Sequence, residues 1–114
     1  MVQNNYFTEL KAKQASFIEA EQNFKFLLEI PLTSDLYKDE FEGLQTFINS
    51  YEIYKMATKD LILSLNNVII YLSDAIVDAL LNGDMTKIKV LAEQIEDYKK
   101  QINNLEEISY EDLN

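Results

Sequence analysis

The run SDLYKDEFEGLQTFINSYEIYKMATKDLILSLNNVIIYLSDAIVDALLN, Ser34 to Asn82, decides the fold. It contains one glycine, Gly43, and no proline. Its first half places Tyr37, Phe41, Leu44, Ile48 and Tyr51 on one face of a helix. Its second half places Leu61, Leu65, Val68, Leu72, Ile76 and Ala79 on one face too. At about 100° per residue the second stripe trails the first by about 50°, the drift of a near-heptad pattern along a straight helix. One unbroken helix of about 70 Å fits this pattern. The competing reading breaks the run near Asn49-Ser50 or Thr58 and gives a compact four-helix bundle.

The breaks on either side are sharper. Pro31, in Ile30-Pro31-Leu32-Thr33-Ser34, ends a preceding helix, and Thr33 or Ser34 suits the cap of the next. In Asn82-Gly83-Asp84, Gly83 suits a left-handed helix terminus and Asp84 the following N-cap. The first helix then covers about 5–30, with a stripe of Tyr6, Phe7, Leu10, Phe17, Phe24 and Leu28. Gln14 and Glu21 interrupt that stripe, which places them at an edge or beside an open groove. The last helix covers about 85–108, with Ile88, Leu91, Ile95, Tyr98, Ile102 and Leu105 in one narrow stripe. The expected fold is all-α and a single domain over residues 1–114. A long central helix carries the other two antiparallel on its two halves, and the acidic tail, 107–114, either frays or serves as a short interaction segment.

Composition removes most chemistry. The 114 residues include 20 Asp+Glu, 10 Lys+Arg, and no His, Cys or Trp, for a net charge of −10. Without Cys there is no disulfide or thiolate, and without His there is no imidazole base and no imidazole ligand for zinc or iron. Glu93-x-x-Glu96 matches in spacing one element of the magnesium-binding MazG-type pyrophosphatases, but no E-x-x-D follows it. Both acids sit about 160° from the stripe of the last helix, so they do not converge on a cation. Asp39-x-x-Glu42 reads the same way. We expect no enzyme, no catalytic residue, no metal and no cofactor.

The acidic balance disfavours direct nucleic-acid binding and an anionic membrane. Leu61–Leu81 is apolar enough to suggest a membrane span. Asn66, Asn67, Ser73, Asp74 and Asp78 interrupt it, and Met1–Asn5 carries no secretory pattern. A cytoplasmic protein is expected.

What the sequence offers is apolar surface. Leu63, Ile70, Val77 and Leu81 lie about 150° from the main stripe of the central run, the first three spaced by seven. They form a second seam, flanked by Asn66, Asn67, Ser73 and Asp74. A helix apolar on two sides has two neighbours. The second neighbour is another helix of this chain, closing a bundle, or a second molecule. Phe26, off the first helix's stripe, is either a docking anchor or a side chain packed beneath a loop.

In size, acidity and helix pattern the chain resembles the small phage tail-assembly chaperones that keep the tape-measure protein soluble. It also resembles the WXG100-like partners of type VII secretion, whose W-x-G turn is replaced here by Asn82-Gly83-Asp84. The first resemblance implies a viral protein in the host cell cytoplasm. The leading expectation is a non-enzymatic helical module, an assembly chaperone or adaptor of phage or mobile-element type, whose partner presents an amphipathic or basic helix. One alternative is an acidic inhibitor that imitates nucleic acid, of anti-CRISPR or anti-restriction type. It would use clusters at Asp35, Asp39, Glu40 and Glu42 and at Glu106, Glu107, Glu111 and Asp112. Another is a coiled-coil homo-oligomerisation protein.

Overall fold

The computed structural model describes the backbone of residues 2–30 and 40–112 and the side chains of 5–30 and 45–106. It is all helical: α1 (Val2–Glu29), α2 (Glu40–Leu81) and α3 (Met85–Asp112). The start of the central helix near Ser34, its cap at Thr33 or Ser34, and the stripe residues Tyr37, Phe41 and Leu44 lie outside the described residues or side chains. So do Asp35 and Asp39, the side chains of Glu40 and Glu42, and the side chains beyond Glu106, where the backbone of α3 continues as helix to Asp112.

The central helix does not break. At the first proposed break, Gln45 Nε2 donates to Asn49 Oδ1 across one turn at 3.0 Å. At the second, the buried Thr58 donates its Oγ1 hydrogen to the Tyr54 carbonyl at 2.8 Å. That bond satisfies the hydroxyl inside the helix, so Thr58 needs no turn to reach water. Forty-two helical residues span about 63 Å, close to the 66 Å length of the whole molecule.

The turn between α2 and α3 follows the expected chemistry. Gly83 adopts φ 71°, the left-handed region. Asp84 N–H donates to the Ala79 carbonyl at 2.9 Å and Gly83 N–H to the Leu80 carbonyl at 3.1 Å, the paired bonds of a Schellman terminus. Asp84 Oδ1 then accepts from Lys87 N–H at 3.1 Å, capping α3.

Both flanking helices pack on α2 and run antiparallel to it. Tyr6 and Phe7 meet Tyr71, and Phe17 meets Tyr54. Phe24 stacks on Tyr54 at 5.5 Å and lies tilted against Phe47 and Tyr51. So α1 covers the first half of α2 and continues to Tyr71. Helix α3 returns along the other end, with Leu105 beside Leu61. The centre of the core is Leu65 and Val68, both at 0% exposure. The molecule is 29 Å wide and only 15 Å thick between Cα positions, about two helix layers.

Two stripes differ from expectation by one residue. In α1 the buried set is Leu10, Phe17, Ala20, Phe24 and Leu27, with Leu28 exposed. In the first half of α2, Ile48 is exposed and Phe47 packs against the core. Seven residues fall about 20° short of two full turns, so a seam that stays in contact over several turns must follow three-four steps. Phe24 plus three is Leu27; Phe24 plus four is Leu28. The same rule moves Gln14 and Glu21 to the edge of the contact. The α3 stripe is as expected: Leu91, Ile95, Ile102 and Leu105 are buried, and Ile88 and Tyr98 are half-buried.

Candidate functional site

Two faces of α2 are apolar, and one of them is covered. The row Met56, Leu63, Ile70 and Val77 lies on the side turned away from α1 and α3, at 65%, 62%, 62% and 55% exposure. No described element lies over it. The reading in which a further helix of this chain buries the seam is therefore overturned for the described residues. With only α1 and α3 to place, the chain puts both against the broader stripe of α2, where each can bury the most surface. Leu81, at 79%, closes one end of the row together with Leu80, and Ile53 extends the other.

Met56 and Ile53 were not anticipated as members. The signal was present: Met56 stands seven residues before Leu63. A shallow cleft of about 260 Å³ joins these two to Lys13, Ser16 and Asp60 at the edge of α1. Lys13 Nζ lies 3.8 Å from Asp60 Oδ2 there, a half-exposed pair of little energetic weight.

The flanks of the row are polar but mixed. Three residues after each row member come Lys59, Asn66, Ser73 and Leu80; four after come Asp60, Asn67, Asp74 and Leu81. The Ser73 hydroxyl is occupied, donating to the Ile69 carbonyl at 2.8 Å. By length and apolarity alone, Gln45–Leu81 could cross a bilayer, with mean hydropathy 1.5 over its most apolar window. The core helix of a soluble protein passes the same test, and this helix carries Asn66, Asp74 and Asp78 on exposed positions.

A second concavity lies on the opposite side. No Cα of α1 comes within 8 Å of one of α3 among the described residues. The gap leaves a groove of about 340 Å³, walled by Phe17, Ile18, Leu61 and Leu105 with the amides of Gln14, Gln101 and Asn104. Gln14 interrupts the α1 stripe because it faces this groove. None of the side chains lining it is an acid, a base or a nucleophile. Phe26 is 64% exposed, so the described surface does not bury it. It sits on α1 near the level where Phe24 meets Phe47, outside the span of the α2 row, so the structure does not bring it together with Leu63, Ile70, Val77 and Leu81.

The acids of α3 stand apart from both concavities. Glu93, Glu96 and Asp97 border a shallow cleft together with Lys89 and Lys100. Glu96 pairs with Lys99 at 3.5 Å. Among the described residues no three carboxylates come together as a cation site would require. No protein family matches this sequence, and no curated protein or solved structure matches it either.

Proposed function

We propose that this protein is a non-enzymatic helical docking module that takes the apolar face of another protein helix along the back of α2. One observation carries the reading. Four aliphatic side chains in a heptad row, each more than half exposed, lie on the face opposite the core. Scattered exposed apolar residues are ordinary; four aligned every seven residues along about 32 Å of one helix face are not. Covering one such side chain fully is worth about 1.5–3 kcal/mol, so the exposed part of each offers roughly 1–2 kcal/mol to a partner. Helix-in-groove recognition uses anchors at this spacing.

The biological role that accords with this surface is assembly chaperone or adaptor, of the kind found in phages and mobile elements, acting in the cytoplasm. The groove between α1 and α3, walled by amides and apolar groups, supports a binding rather than a catalytic reading. The interleaving of lysines with the acids of α3 gives no row of carboxylates there to imitate a phosphate backbone.

A fluorescent amphipathic peptide with a leucine heptad seam and lysine flanks tests the proposal by anisotropy. Wild-type protein is expected to bind it saturably, and Ile70→Asp to weaken binding at least about tenfold with the helical circular dichroism unchanged. Equal binding by both proteins refutes the reading. Co-sedimentation with anionic vesicles that Ile70→Asp abolishes, without peptide binding, would replace a helix by a membrane surface as the ligand.

A further inference from the structure

The charges beside the row select an occupant. We propose that the helix it takes is α2 of a second copy of this chain, laid parallel and in register. The inference rests on the row being a helix-docking face and goes on to name the helix.

In a parallel pair the two-fold axis runs along the helices, so the flank three residues after each row member faces the other copy's flank four residues after. Lys59 then faces Asp60 of the second copy, Asn66 faces Asn67, and Leu80 faces Leu81, each contact occurring twice. Ser73, neutral, faces Asp74. The row stacks Met56, Leu63, Ile70 and Val77 on themselves. In an antiparallel pair centred between Asn66 and Asn67 the two-fold axis crosses the helices, and each flank meets itself reversed. Asp60, with Lys13 of its own copy 3.8 Å away, then faces Asp74 of the second copy twice, and the Lys59 of each copy faces Ser73 in place of an acid. Like charges across such a seam oppose association, and opposite charges set its orientation. The amides at mid-seam fix the register in either direction, since Asn66 and Asn67 meet amides in both pairings and are stranded only when the helices slip; the charges alone set the direction.

Residues 53–81 span about 42 Å, and a helix face about 11 Å wide gives a footprint of roughly 450 Å² per copy. That is about half the ~800 Å² per partner of a standard stable interface. The dimer is therefore reversible, forming in the micromolar range and open to exchange for another helix of the same character.

Sedimentation equilibrium across that range, with a nitroxide label on Asn82→Cys, tests this. The chain has no other cysteine, so the label is unique. A concentration-dependent dimer is expected, with a label separation below about 20 Å. Ile70→Asp and, as a second variant, Leu63→Asp should each raise the dissociation constant at least about tenfold with helicity retained. A separation of about 45 Å would mean antiparallel pairing and overturns the proposal. A monomer at every concentration overturns it as well. If that monomer still binds the amphipathic peptide through Ile70, the docking reading survives alone; if it binds neither, both fall.

Discussion

Phe24 and Phe26 stand two residues apart on α1 and should behave oppositely when truncated. Phe24 is buried and packs against three aromatic rings, those of Phe47, Tyr51 and Tyr54, at centroid distances of 5.5, 5.4 and 5.5 Å. Removing a buried Phe side chain costs about 3–5 kcal/mol in lost transfer energy and residual cavity. Ring pairs contribute about 0.5–1.5 kcal/mol beyond area, which places this site toward the upper end. A domain of this size has only about 5–15 kcal/mol in total, so Phe24→Ala should remove a third or more of it. At about 4 °C per kcal/mol the melting temperature falls by roughly 12–20 °C. Phe26→Ala deletes a ring left mostly in water, and alanine is the better helix former, so its effect stays within about 0.5 kcal/mol. Urea unfolding followed by far-ultraviolet circular dichroism measures both, and an unchanged slope shows that the denatured state is the same. Phe24→Leu, milder, keeps the comparison readable if the alanine variant does not fold. A loss below about 1 kcal/mol for Phe24→Ala, or one above about 2 kcal/mol for Phe26→Ala, would refute the packing of α1 on the first half of α2.

Other substitutions probe the turn and the two faces of α2. Gly83→Ala should cost about 1–2 kcal/mol through its left-handed backbone alone, since an added Cβ meets nothing within 4 Å. Gly83→Asn should cost less, because asparagine tolerates that conformation, and thermal melts rank the two. Asp84→Ala should lose about 1 kcal/mol of cap energy, read in the same way. Leu72→Ala should cost about 2–5 kcal/mol in urea unfolding, against less than about 0.5 kcal/mol for Ile70→Ala measured at concentrations too low for association. Similar losses at both positions would mean that the row along the back of α2 is covered in solution by part of the same chain.

Helix type and the second turn were legible in the residues, whereas the choice between one central helix and two was left to the tertiary structure. Only two glycines and one proline punctuate the chain, and Gly83-Asp84 carries the chemistry of a left-handed terminus followed by a cap. The α3 stripe was legible because one neighbour covers one narrow face. Periodicity records the angle at which a side chain leaves its helix, and angle is a local property. It does not record what stands opposite. That is why Leu28 and Leu27 were exchanged, as were Ile48 and Phe47. A difference of 100° between adjacent residues is settled by the path of the neighbouring helix, which an isolated stripe does not contain. The same limit applied to α2 as a whole. Two apolar faces were visible in the sequence and the broader one was read as the main stripe, but whether the second was covered too depended on where α1 and α3 came to rest. Both settled over Leu65 and Val68, and the row from Met56 to Val77 was left facing water.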